Sequence, residues 1–206
     1  MHISIGRRSR LTALGAGLIT AAAIAVSASG PALADTTDTG GSASLAVPVA
    51  VVAGLAHANI VMLAGTPATS SFDPTAGTDT VTNPVTGGNA EVSNFYGILK
   101  LGGSLFLLNA SNGKTVNITG LQLNFFTGAL QGVLPGNTKP SPLAYVRGVS
   151  STSSDPGPPA TETFSTTELD LSTKAATALN TDLATKVFRH GINIGAFTTT
   201  FDVTVS

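Results

Sequence analysis

The chain has 206 residues, with ten Lys and Arg, eleven Asp and Glu, three His and no Cys, and charged side chains make up only 10% of it. Three of the basic residues fall within the first ten positions, and without them the balance is seven to eleven, or −4, which excludes the basic face that nucleic acid or an anionic membrane requires. The lack of cysteine excludes disulfides, so the fold must be held by its core alone.

Residues 1–34 read as a removable export signal. Arg7, Arg8 and Arg10 form a basic start, an apolar run extends from Leu11 to Val26, and Ala32-Leu33-Ala34 precedes Asp35 as a cleavage site. The mature chain would begin at Asp35 and be secreted or held at the cell envelope. What remains is enough for one domain with a substantial core. Residues 35–43 (DTTDTGGSA) have the Gly, Thr and Asp content of a flexible leader, so order is expected from Ser44 onward in a single β-rich domain over 44–206.

The stretch "SLAVPVAVVAGLAHANIVMLAG" is long and apolar, but Pro48, Gly54, His57 and Asn59 argue against a membrane span. It reads instead as a strand at Leu45 to Val47, a short helix opened by Pro48, and a strand from Ile60 to Ala64. A turn-rich segment follows, with a short strand at Thr78 to Val81. Consecutive strands are expected between Asn94 and Val133, among them Phe95 to Lys100 and Ser104 to Asn109. Asn112-Gly113 predicts a two-residue type I′ hairpin, because both central residues of that turn need φ > 0. On its far side Val116 and Ile118 alternate with polar residues, Gly120 breaks the run, and Leu121, Leu123 and Phe125 resume it.

A strand is expected at Leu143 to Val149, a Pro/Ser-rich loop near 150–163 and a strand at Phe164 to Leu171. A helix then starts at Ser172 or Thr173. Ala176, Leu179, Leu183 and Val187 recur at helical spacing, and Arg189, His190 and Gly191 mark its end. The last strand covers Ile192 to Val205, with a break at Gly195. The fold class is therefore mainly β: an antiparallel sandwich or open barrel with one helix in the C-terminal half and a short helical segment near the N-terminus.

Catalytic constellations are hard to find. There is no Gly-x-Ser-x-Gly elbow, and the mature chain offers only His57 and His190 as bases or metal ligands, neither with His, Cys or carboxylate partners at ligand spacing. Glu168 and Asp170 share strand parity, a spacing open to acid–base work, to calcium, or to a plain solvated surface. Tyr96, in "NFYGILK", is either an axial haem ligand, since phenolate ligates ferric haem, or a boundary tyrosine with its hydroxyl in water.

The order "NPVTGG" (83–88), "GGSL" (102–105), "TVNITGLQLNFFTGALQG", "TTELDLS", "AATALNTDLATKVF" and "GINIGAFTTTFDV" resembles secreted actinobacterial all-β proteins related to the HtaA-type haem-uptake domain, over roughly residues 44–205. The resemblance implies a β-rich fold with a small helical cap on an exported protein. It also implies a haem site with a Tyr ligand and a supporting His. The His that relatives commonly place ahead of the Gly-Gly pair is missing here, where Lys100-Leu101 stand. Two functions follow as expectations. The first is a non-enzymatic secreted or envelope-associated binding or structural module, with an envelope protein, glycan or polymer as partner. The second is a small-molecule carrier using the mouth between the sheet and the 172–190 helix, with haem as cofactor and Tyr96 as its ligand.

Overall fold

The computed structural model describes residues 36–154 and 160–205, which fall within one compact unit, Ala34–Ser206. The export signal expected over 1–34 lies outside the described residues. In chain order the elements are β1 (Thr36–Pro48), α1 (Val49–His57), β2 (Ile60–Gly65), β3 (Thr69–Asp73), β4 (Thr78–Gly88), β5 (Ile98–Leu101) and β6 (Ser104–Asn109). They continue with β7 (Lys114–Asn124), β8 (Ala129–Val133), β9 (Ser141–Ser153), β10 (Ala160–Leu171), α2 (Thr173–Asp182) and β11 (Ala196–Val205). The class is mainly β, as expected, with both helices where the pattern put them.

All eleven strands belong to one antiparallel sheet. Its order runs β7-β5-β4-β1-β11-β10-β9-β8, and β8 pairs back onto β7, so these strands form a closed eight-stranded barrel. Closure leaves no free edge around that ring. β2 and β3 lie outside it: β2 pairs with β6, which extends β5 along the same edge of β7, and β3 pairs with β4. The apolar stretch read against a membrane span is thus strand, helix and strand, and among the described residues no helix is long and apolar enough to cross a membrane.

Alternation explains the inward set. Val81, Asn83 and Val85 of β4 point inward and are buried, as are Phe197, Thr199, Phe201 and Val203 of β11. In β7 the inward residues change parity, from Val116 and Ile118 to Leu121 and Leu123. Gly120 sits between them at φ 56°, where the register against β8 shifts. It is a bulge glycine that keeps both halves of one continuous strand facing the core.

Several boundaries differ from the expectation. The expected flexible leader is the first half of β1: Thr36 to Thr39 pair with Val205 to Asp202 of β11, and Gly40-Gly41 form a bulge before pairing resumes at Ser42. A side chain on Gly41 would run into the Thr200 carbonyl, so this glycine serves close backbone approach, while Gly40 takes the positive φ of 68°. The loop expected over 150–163 is shorter, because β9 runs to Ser153 and β10 starts at Ala160. β3 was not foreseen, and Phe95 and Tyr96 lie in the turn before β5. Asn112-Gly113 does not make a two-residue turn. Asn109 pairs with Lys114 across a four-residue loop in which only Gly113 has positive φ, and Asn109 O accepts from Gly113 N at 2.8 Å.

The predicted helix over 172–190 ends at Asp182, and the chain from 183 to 195 is irregular. Side chains from distant elements compete for its continuation. Asn109 and Asn112 both donate through Nδ2 to the Leu183 carbonyl, at 2.9 and 3.1 Å, and Asn180 brackets Phe188 by donating to its O at 2.7 Å and accepting from its N at 3.1 Å. Arg189, His190 and Gly191 therefore do not form a helix C-terminus. The helix start is as expected: Ser172 Oγ accepts from Ala175 N at 3.0 Å and donates to Pro142 O at 2.6 Å, while Ala175, Ala176 and Leu179 are buried.

Because Ser172 is buried and serves both the helix and the start of β9, Ser172→Ala is expected to cost about 1–3 kcal/mol, the sum of a lost cap and an unpaired carbonyl. Urea unfolding of the two proteins measures it.

Candidate functional site

The two ends of the barrel differ in chemistry. At one end the chain between β4 and β5 folds inward, with Ala90 and Val92 buried. Their backbone N–H groups are met by two buried carboxylates: Ala90 N donates to Asp38 Oδ2 at 2.7 Å and Val92 N donates to Glu162 Oε2 at 2.8 Å. Asp38 comes from β1 and Glu162 from β10. Below them, Phe125 meets Phe164 edge-on with centroids 5.0 Å apart, and Phe201 stands at 6.4 Å from Phe125, so this half is filled by side chains.

Burial pushes the Asp38 carboxyl up to about 6, against the lowering effect of the Ala90 bond, with the Glu162 charge raising it further. Glu162 is also raised, mainly by burial. Among the described residues Asp38 Oδ1 has no hydrogen-bond partner. The plug is thus held by charge-assisted bonds to groups that are costly to ionise where they sit.

The opposite end, under α1 and α2, is not filled. A cavity of about 390 Å³ lies there. Barrel residues such as Leu45, Val81, Ile118, Leu130 and Phe197 form its wall, Ala175 and Leu179 of α2 cover one side, and Val51, Gly54 and Leu55 of α1 another. Val187 and Phe188, expected in the second half of the helix, and Ile192 and Ile194, expected in a last strand that in fact starts at Ala196, complete it from the irregular segment. Among the described residues that line it, only Asn83 carries a polar side chain, and its amide nitrogen donates to Gly102 O at 2.7 Å.

A sealed void of this size would cost on the order of 5–10 kcal/mol at the rate found for emptied cores. That is comparable with the whole stability of a domain. The cavity is not sealed. Ala50 and Gly54 of α1 are exposed and Val51, Leu55, Phe188 and Ile194 half-buried, so residues of α1 and of the irregular segment meet both the cavity and solvent. α1 has the sequence VAVVAGLAH and buries none of its residues. A helix without a polar face normally lies in a core; this one lies half-exposed across an apolar opening.

The residues singled out from the sequence are not brought together. Tyr96 is 44% exposed in the plug turn, at the end of the barrel away from the cavity, bridging to Glu91 through backbone bonds. His57 is exposed at the end of α1 and His190 is exposed in a turn. Glu168 and Asp170 do share the outer face. Asp170 accepts from Arg147 Nε at 3.2 Å in a surface ion pair, and Glu168 stands opposite Arg147 in the register. Among the described residues no group of three or more His, Cys, Asp or Glu comes together as a metal site.

A ligand mouth between the sheet and the 172–190 helix was expected from the sequence, but the residues that line the cavity were not singled out, because they are ordinary apolar residues that alternation assigns to a packed core. The one available signal was the all-apolar composition of residues 49–56, which leaves the helix only His57, at its end, to show to water.

The buried carboxylates carry a pH signature. A carboxyl whose folded value is raised binds its proton more readily in the native state, so stability is gained as pH falls through about 6 and the full contribution is present below 4. Melting temperature is expected to rise from pH 7.5 to pH 5. In Asp38→Asn the rise should shrink, with the variant more stable than the parent at pH 7.5 by up to about 3 kcal/mol.

No protein-family model matches the chain, and no curated protein does. Among solved structures, the chain is similar to the C-terminal domain of HtaA from Corynebacterium glutamicum, with a TM-score of 0.57 at 14% identity, over 82% of this chain and 99% of that one. The likeness is one of backbone and topology: this chain folds like the HtaA C-terminal domain.

Proposed function

We propose that the protein is a non-enzymatic binding module of the secreted or envelope-associated class, and that it holds a small ligand in the cavity under α1 and α2. The carrying observation is an apolar cavity of about 390 Å³ beneath a helix that buries none of its own residues. That volume lies in the range of small-molecule sites, which are concave and mostly apolar. Export is supported by the pattern of residues 1–34, and the N-terminus of protein recovered from culture medium is expected at Asp35. The outer surface, with exposed Thr and Ser rows on β3 and the far half of β9, is available to an envelope protein, glycan or polymer.

A neutral dye such as N-phenyl-1-naphthylamine, which fluoresces in apolar surroundings, is expected to bind saturably. Leu130→Trp, which fills the cavity from its wall, should weaken that binding by at least about tenfold, or 1.4 kcal/mol, while still unfolding cooperatively. Absence of saturable binding to the parent would end this reading.

The second reading is a haem carrier, favoured by the fold likeness to an HtaA domain. The cavity supplies no phenolate, imidazole or cation to iron or propionate, and Tyr96 stands at the other end. Titration with ferric haem is therefore expected to give no saturable Soret shift; a shift that is lost in Tyr96→Ala would move the function to haem.

A further inference from the structure

We propose that the cavity takes a single unbranched hydrocarbon chain, threaded past Gly54 of α1 with any polar head left in solvent. This rests on the cavity being the binding site. Three observations narrow the class of ligand.

The first is the chemistry of the wall. Among the described residues it is apolar throughout, mostly aliphatic with Phe188, Phe197 and Met62, except for Asn83, whose amide nitrogen is already committed to Gly102 O, so the interior offers nothing to a charged group and little to a hydrogen-bonding one. Burying a carboxylate, phosphate or propionate there would leave it unpaired. The occupant must therefore be uncharged along the part that enters. Apolar cavities of this kind exclude water and accept hydrocarbon.

The second is size. A methylene takes up about the same share of volume as a liquid water, roughly 30 Å³. A cavity of about 390 Å³ then holds a chain on the order of ten to fifteen carbons, filled without distortion of the barrel.

The third is the doorway. Gly54 lies within α1, where glycine is a poor choice for a helix, yet a side chain built on it would meet nothing within 4 Å. Packing does not require glycine there, and neither does a positive φ. The missing side chain instead leaves a gap in the wall that α1 presents to the cavity mouth. A gap one side chain wide passes a flexible chain more readily than a fused ring system.

The test is displacement of N-phenyl-1-naphthylamine from the purified protein by 1-dodecanol, by dodecanoate and by cholesterol, with Gly54→Ala and Gly54→Leu alongside the parent. Dodecanol and dodecanoate are expected to displace the dye at similar concentrations, since the head stays outside, and cholesterol to fail. Gly54→Leu should lower the apparent affinity for dodecanol at least about tenfold. Its melting temperature, and that of Gly54→Ala, should equal or exceed the parent's, showing that the loss is not one of folding. If the dye binds but neither twelve-carbon compound displaces it, or if Gly54→Leu binds dodecanol as the parent does, the chain and its doorway are wrong while the cavity remains the site. If the dye does not bind at all, the site itself is wrong.

Discussion

Pairing of β8 back onto β7 turns a long antiparallel sheet into a ring, and most of what is distinctive about the molecule follows from that closure. A closed barrel has no edges to protect, but it has two open ends and a lumen that must be filled or lined. Side chains alone fill one half, where Phe125, Phe164 and Phe201 meet. The bulge at Gly120 is part of the same requirement, because without it one half of β7 would turn its leucines to solvent.

The ends are closed in opposite ways. At one, a loop is drawn in and its backbone donors are satisfied by Asp38 and Glu162, carboxylates that burial makes reluctant to ionise. Polar backbone inside a barrel has to be answered by polar side chains, and the two carboxylates do so at the expense of stability at neutral pH. At the other end, helices and an irregular segment form the cover, and their internal faces are apolar. Ordinary hydrophobic residues there surround a space that they do not fill. The proposed ligand site lies at that end because an opening of this chemistry can exchange a ligand, whereas the plugged end is committed to its own hydrogen bonds.

Likeness of backbone to the HtaA C-terminal domain carries the architecture and stops there, since sites are made by particular side chains grafted on a shared frame. In this chain the only tyrosine considered for haem stands in the plug turn, and the cavity wall offers aliphatic carbon. The fold and the chemistry of the site therefore have to be argued separately.

The sequence by itself determined most of the strands and the faces they present. Alternation placed β6 at Ser104 to Asn109, separated Phe197 and Phe201 from Thr198 and Thr200, and put Ser172 at the start of α2, all features set by local period and local capping. Tertiary structure decided whatever depended on partners far along the chain. Gly40-Gly41 looked like a flexible leader until β11, some 160 residues away, supplied the other side of the bulge. The helix pattern through Val187 was broken by Asn109 and Asn112 reaching the Leu183 carbonyl, and the residues released from the helix became the rim of the cavity. Asp38 belonged to the same expected leader until closure buried it. Periodicity records which face of an element is apolar; whether that face meets another side chain, a backbone donor or an empty space is set by long-range pairing, which no local pattern encodes.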